Sequence, residues 1–364
     1  MSANTIRVQV GPANYYSFTG AIDKLSEFYP QPVLEKALWI YGERALNAAQ
    51  DYLPAEFHSA NAIKARFNSH CSESTVAELV SVAGSERQVV IGVGGGGVLD
   101  TAKVVARRLG LPLVVIPTIA ATCAAWTPLS VWYTEQGQAL NYEIFNDANH
   151  LVLVEPRIIL QAPVAYLLAG IGDTLAKWYE AVVLSSDPKS LPLTVRLGLQ
   201  AALDVRNVLL EQSEAALQAV ARRELTQDFL DVVDAIIAGG GMVGGLGERF
   251  TRVAAAHAVH NGLTVLPQTA RFLHGTKVAY GILVQTALLG QEQALKDLIA
   301  AFKVWGLPTH LAALDVNIRD RDAIEQVITR ILKPGESIHA LPISLNKQKI
   351  RAAIEQVDIA AQAL

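Results

Sequence analysis

The chain has 364 residues, 51% hydrophobic and 18% charged, with a formal net charge of −4, which excludes a disordered or fibrous protein and calls for two domains sharing a cleft. No lysine/arginine run accompanies that balance, so nucleic acid is excluded as a partner, while a small anionic metabolite stays open because its binding depends on local charge. Cys71 and Cys123 are the only cysteines, too few for a disulfide framework or a thiolate metal site.

The opening MSANTIRVQVGP lacks an apolar core after a basic start, and no uninterrupted apolar run reaches membrane-spanning length. The expectation is a cytoplasmic chain with no membrane partner. Ile6 to Val10 alternates like a strand, Ala21 to Phe28 reads as a helix, and Ala37 to Tyr41 as a second strand. Gly42 and Arg44 follow at that strand's C-terminal end, where cofactor contacts collect in open α/β sheets. Ile63 to Phe67 predicts another strand and Ser74 to Val82 another helix.

Gln88 to Pro117 condenses the organisation of the first half into a βαβ unit: an apolar strand to Val93, a glycine turn, a helix over Val98 to Leu109 and a returning strand over Leu113 to Ile116. Gly92, Gly94 and Gly97 match G-x-G-x-x-G, and Gly95 and Gly96 bare the turn further. Backbone without Cβ atoms can approach a pyrophosphate closely, and the helix N-terminus offers it unpaired N–H groups. The acidic residue usual about 20 positions later is missing, since nothing acidic lies between Asp100 and Glu135. Leu129 to Tyr133 and Ala139 to Phe145 predict a hairpin, and Leu151 to Val154 a last strand.

Beyond Pro163 strands give way to helical segments: Ala165 to Leu184, Leu193 to Leu210, Glu214 to Ala238, Val253 to Val265, Val278 to Leu289 and Gln291 to Val304, then Asp320 to Leu332 and Lys347 to Ala363. The predicted domains are 1–162, α/β and dinucleotide-binding, and 163–364, helical, with Leu184 to Leu191 as the most linker-like loop. Glycines at 239–241 and 244–245 inside helical sequence are read as close packing. Asp173 lies on an otherwise apolar helix, where an ionised carboxylate needs a partner. His257 and His260 stand one turn apart, and His274 follows. A carboxylate with two histidines suits zinc or ferrous iron; hydrogen-bonded core residues are the alternative, and spacing alone does not decide.

GGGGVLDTAK, VVIPTIAAT, GIGDTLAKWYEA, AAAHAVHNGLTVLP and HGTKVAYG occur in the order found in glycerol dehydrogenases, a branch of the iron-containing alcohol dehydrogenase superfamily that this chain resembles over essentially its whole length. The resemblance implies a parallel-sheet, Rossmann-like N-terminal domain and an all-α C-terminal domain in a dehydroquinate synthase-like architecture, with the active site in the cleft between them. It implies a homo-oligomer, one divalent metal on Asp173, His257 and His274, and His260 near the reacting oxygen as a proton carrier. Cofactor contacts would fall on Gly94, Gly95, Gly96 and Gly97, with Asp100 nearby, and on Thr118, Thr127, Leu129 and Tyr133.

The departures from that family bear on substrate. Cys123 stands where glycerol dehydrogenases have an aspartate that holds substrate hydroxyls, so a polyol would lose its anchor; no base beside it argues for a reactive thiol. Lys177, one turn after Asp173, replaces a small polar residue or a metal-binding histidine, and could bind a substrate carboxylate or pair with Glu180. Arg249 and Arg252 replace a glycine- and serine-rich stretch and either grip a carboxylate or form a solvated helix start. Gly42 stands where many relatives that use NAD keep an aspartate for the ribose, and Arg44 could pair with a 2′-phosphate, which favours NADPH over NADH; Glu43 weighs against it. The reading is a metal-dependent reductase of 2-oxo acids, with zinc ahead of ferrous iron. A polyol dehydrogenase, a dehydroquinate synthase-like lyase and a non-catalytic nucleotide-binding protein are the rivals.

Overall fold

A computed structural model describes residues 5–185 and 187–364. Within them the chain forms two compact units. The first comprises Gln9–Pro163 and Ala219–Gly241, and the second comprises residues 5–8, Val164–Gln218 and Met242–Leu364. The return of Ala219–Gly241 to the first unit is a feature that a single boundary near 162 does not contain.

The first unit is built on a six-stranded sheet in the order β1-β8-β5-β4-β2-β3, every pairing parallel. Its strands are β1 (Asn14–Ser17), β2 (Leu38–Gly42), β3 (Ile63–Phe67), β4 (Val90–Gly94), β5 (Leu113–Pro117) and β8 (Leu151–Val154). β4, β5 and β8 are buried at every position, which is why they read as unbroken apolar runs rather than alternations. β6 (Leu129–Tyr133) and β7 (Ala139–Ile144) form the predicted hairpin as a separate antiparallel pair.

The strand expected over Ile6 to Val10 is absent; the first strand starts four residues later, after Gly11-Pro12. Val8 and Val10 are exposed, so the alternation buries no face, and the Arg7 N–H donates to a Glu248 carboxylate oxygen at 3.3 Å instead of a ladder.

Helix α1 (Glu73–Ala83) begins at Ser72, whose hydroxyl accepts from the Thr75 N–H. Helix α2 (Gly96–Leu109) follows β4 directly and ends where Gly110 turns left-handed. β2 and β3 run outward on one side of β4, and β5 and β8 on the other, so the reversal of strand order falls between β2 and β4. Gly42 and Gly94 end these two strands. A ligand of an open parallel sheet binds at such a point.

The second unit is helical. Helix α3 (Val164–Leu184) and helix α4 (Leu193–Arg222) are its long elements, followed by α5 (Ala255–Leu263), α6 (His274–Leu288), α7 (Glu292–Trp305), α8 (Arg321–Ile331) and α9 (Lys347–Ala363). Two segments predicted separately, Leu193 to Leu210 and Glu214 onward, fuse into α4 because Glu211, Gln212 and Ser213 between them include no glycine or proline. The break falls at Arg223, which is left-handed at φ 58, and Thr226 caps a new helix by accepting from the Phe229 N–H at 3.3 Å. That helix passes through a π turn at Ala235–Gly239. Gly241 abuts Trp126 so closely that a Cβ would stand 2.3 Å from the indole, the close packing expected of this glycine cluster. The run Gln227–Phe250 is long and apolar enough to cross a membrane by composition, yet half of it is buried in the protein, as in a core helix.

Candidate functional site

In the sheet unit the glycine turn has the form expected of a phosphate cradle. Gly95 is the extended N-cap of α2, so the N–H groups of the first helical turn face the end of the sheet. A Cβ on Gly94 would meet Val98 at 2.6 Å, and one on Gly95 would meet Ile119 at 2.7 Å. The turn closes against β5, where the Thr118 N–H donates to Gly94 O at 3.1 Å. Gly42 lies beside this turn, its Cβ position 3.5 Å from Val98.

The acidic neighbour Glu43 is drawn to Arg66 at 2.6 Å. The exposed Arg44 side chain has no partner among the described residues. Asp100 serves packing: its carboxylate takes the buried Lys103 ammonium at 2.9 Å and the Val131 N–H at 3.2 Å, tying α2 to the hairpin. Leu129 O accepts from the same lysine. Thr127 donates its N–H to Cys123 O at 3.2 Å, and Tyr133 donates its own to Cys71 O at 2.9 Å, so these residues stand on one tied loop and hairpin. Cys123 is half-buried there.

In the helical unit three elements bring Asp173, His257 and His274 together, so that one ligand atom from each lies within 4.8 Å of the others. Asp173 Oδ1 is 3.0 Å from His274 Nε2 and 3.4 Å from His257 Nε2. Glycines permit this convergence. A Cβ on Gly275 would stand 1.8 Å from Ala169 O, and one on Gly281 would stand 2.2 Å from Ala256 O. α6 therefore crosses α3 and α5 backbone to backbone, which carries the ligands within a few ångströms of one another.

The α5 helix that carries His257 has no capping side chain of its own. Its first N–H groups are satisfied from other helices. Glu180 Oε1 accepts from Ala254 N at 2.7 Å and His257 N at 3.0 Å, while Gln285 Oε1 accepts from Ala255 N and Ala256 N at 3.0 and 3.1 Å. Glu180 Oε2 also takes His257 Nδ1 at 2.6 Å. This fully buried carboxylate is committed to α5, not to Lys177 as a salt-bridge partner. It holds the ring so that Nε2 faces Asp173, the outer carboxylate usual behind a metal-bound histidine.

Burial alone would raise the Asp173 carboxyl, but His274, the hydrogen bonds from both histidines and the Lys177 ammonium hold it well below the usual carboxylate range. Burial disfavours a charged His257, and the Glu180 and Asp173 carboxylates override it, lifting the ring to about 9. One ionised oxygen and two imidazole nitrogens fit a divalent ion of intermediate hardness, and the His274 side chain, 44% exposed, leaves that position accessible. Because a proton on His257 Nε2 occupies the ligand position, Zn²⁺ uptake at about pH 7.5 is expected to release about one proton, with affinity rising up to about pH 9. Calorimetry in buffers of different ionisation enthalpy measures this; a binding heat independent of buffer contradicts it.

His260 has both ring nitrogens engaged within the protein, Nε2 with His274 Nδ1 at 3.0 Å and Nδ1 with Asn261 Oδ1 at 3.1 Å. Burial, then the charges of His274, His257 and Lys277, keep its pKa well below the ordinary value. The residue expected to carry a proton is thus in contact with both His274 and Asn261. Arg249 departs from expectation: it pairs with Glu248 at 3.1 Å, donates to Thr5 O at 3.1 Å and stacks on Phe250. Arg252 is half-buried with no hydrogen bond or ion pair among the described residues. Lys277, passed over in the sequence, is a buried cation on α6 whose Nζ lies 3.4 Å from Thr269 O, and burial lowers its pKa. Its position one turn after His274 was the available signal.

Comparison with known proteins accords with these features. The family model described as iron-containing alcohol dehydrogenase matches residues 12–156. Hydroxycarboxylate dehydrogenase A of Escherichia coli (strain K12) is 63% identical over 98% of this chain and 99% of its own. A glycerol dehydrogenase of Thermotoga maritima is 33% identical over 97% of both. The crystal structure of a probable glycerol dehydrogenase from Sinorhizobium meliloti 1021 superposes with a TM-score of 0.84 at 28% identity, covering 99% of this chain and 100% of that one. The chain thus belongs to the iron-containing alcohol dehydrogenase family, in its glycerol dehydrogenase-like branch, and is an oxidoreductase acting on alcohol groups.

Proposed function

We propose that this oxidoreductase reduces a 2-oxo acid to the 2-hydroxy acid with NADPH, using a divalent ion, zinc ahead of ferrous iron, on Asp173, His257 and His274. The observation that carries the substrate class is the charge beside the site: Lys177, one turn along α3 from Asp173, acts electrostatically on that carboxylate. Half-buried Arg252, with no hydrogen bond or ion pair among the described residues, supplies a second cation. The identity to hydroxycarboxylate dehydrogenase A supports the same class. Arg44, with Glu43 occupied by Arg66, supports a 2′-phosphate and hence NADPH.

When bound, the ion would polarise the oxo group and the nicotinamide would supply hydride. The protein's own part is positioning. Asp173 stays ionised, Glu180 orients His257, and Lys177 and Arg252 hold the substrate carboxylate at one end so that its oxo carbon is presented in a single orientation. The proton that completes the alcohol comes from water or a cofactor hydroxyl. A cytoplasmic homo-oligomer completes the reading.

NADPH oxidation with a panel of 2-oxo acids, and polyol oxidation in reverse, tests it on metal-loaded protein. Lys177→Thr is expected to raise KM for the oxo acid roughly 10- to 100-fold, the worth of one charged hydrogen bond. Turnover of glycerol with NAD, indifferent to that change, would return the chain to a polyol dehydrogenase.

A further inference from the structure

His260 stands at the end of a half-buried polar chain. Arg330 pairs with Glu336 Oε1. Glu336 Oε2 accepts from Asn261 Nδ2 at 3.0 Å. A carboxylate only accepts, so the amide orientation is set: the NH₂ faces Glu336 and Asn261 Oδ1 faces His260 Nδ1 at 3.1 Å. That oxygen cannot donate, so His260 carries its proton on Nδ1. In the neutral ring Nε2 is then an acceptor, and it faces His274 Nδ1 at 3.0 Å. His274 must donate from Nδ1, so that a bound ion would take the lone pair of its Nε2; without the ion that nitrogen, 3.0 Å from Asp173 Oδ1, donates to the carboxylate from a ring holding both hydrogens.

The same conclusion follows from the other end. A His274 that ligates through Nε2 must hold its hydrogen on Nδ1, and it then needs an acceptor there. His260 Nε2 is that acceptor only if Nδ1–H is satisfied behind it. Each link from Arg330 to His274 Nδ1 has one consistent direction.

We propose that the chain Arg330–Glu336–Asn261–His260 fixes the tautomer of His274 in its metal-binding form, and that His260 is a positioning residue for that ligand. The proposal rests on the reading of Asp173, His257 and His274 as a metal site. His257 and His274 are then held in the same tautomer by two different outer partners, a carboxylate for one and a neutral ring for the other.

The test compares Asn261→Leu, His260→Leu and His260→Gln with the native protein by chelator-competition titration of Zn²⁺ and by ¹⁵N spectra of the imidazoles in the loaded state. His260→Leu removes the acceptor from His274, and Asn261→Leu frees His260 to turn over its tautomer. Both are expected to weaken Zn²⁺ binding by roughly 10- to 100-fold. His260→Gln keeps an acceptor oxygen and is expected to bind Zn²⁺ within about threefold of native, since one hydrogen bond is retained. The native spectrum should show Nδ1 protonated on both His260 and His274. Zn²⁺ held equally tightly by both leucine variants overturns the proposal and leaves the metal site standing. A native protein that takes up no Zn²⁺ or Fe²⁺ overturns the metal reading and this proposal with it. Circular dichroism of each metal-free variant separates misfolding from loss of the ligand geometry, and Asn261→Asp, which retains the acceptor, should bind more tightly than Asn261→Leu.

Discussion

Gly275→Ala is expected to destabilise the protein by about 3 kcal/mol or more and to abolish tight metal binding. Overpacking of a closed core costs about 1–3 kcal/mol where side chains can yield, but here the added methyl would stand 1.8 Å from the Ala169 carbonyl oxygen, which is backbone. The two helices must move apart. Gly275 follows His274 directly and Asp173 lies four residues after Ala169, so the movement separates the two ligands. Thermal denaturation of the metal-free protein and a Zn²⁺ titration measure the two effects. Gly244→Ala is the control, because its Cβ would find only Arg252 Cγ at 3.9 Å, and its melting temperature should be unchanged or higher. A native-like melting curve for Gly275→Ala would show that the crossing has room, contrary to this geometry.

The second large effect is expected of Glu180→Gln. The carboxylate accepts three hydrogens, from Ala254 N, His257 N and His257 Nδ1. An amide of the same shape has one acceptor oxygen. If that oxygen keeps the two backbone N–H groups, its NH₂ meets His257 Nδ1, and the ring must place its hydrogen on Nε2, where the ion would bind. If the amide turns over, its NH₂ faces two donors at the start of α5. Metal affinity is expected to fall roughly 10- to 100-fold, and kcat/KM at limiting metal with it. Metal-free Glu180→Gln should retain its helical circular dichroism. Zn²⁺ affinity equal to native would show that the imidazole is oriented by something other than this carboxylate.

Much of the architecture was legible because each layer writes a different period. β4 and β5, covered on both faces, appear as unbroken apolar runs, and α2 is bracketed by its glycine turn and by Gly110. The alternation of Ile6 to Val10 misled because periodicity records a pattern of side chains and not whether a face is buried. The segment predicted from Glu214 to Ala238 ran through Arg223 without a visible break, since a left-handed arginine leaves no mark in the sequence.

The metal ligands were carried over from five ordered motifs, and the structure brings those three residues together. Their outer partners were not legible. Glu180 caps a helix 74 residues away and Glu336 reaches Asn261 across 75, and separations of that size have no period. Arg249 illustrates the converse: its type and position suited a carboxylate, yet Glu248 and Thr5 take it.

The sequence by itself determined the parallel sheet, the glycine turn and the helical second half, because these depend on local composition and near-neighbour spacing, while the metal ligands came from the resemblance its motifs carry. Only the tertiary structure decided how near α6 comes to α3 and α5, which carboxylate stands behind His257, and which side chain faces each nitrogen of His274. Those depend on close approach of backbones distant in sequence and on the direction of hydrogen bonds, and both arise only when the helices pack.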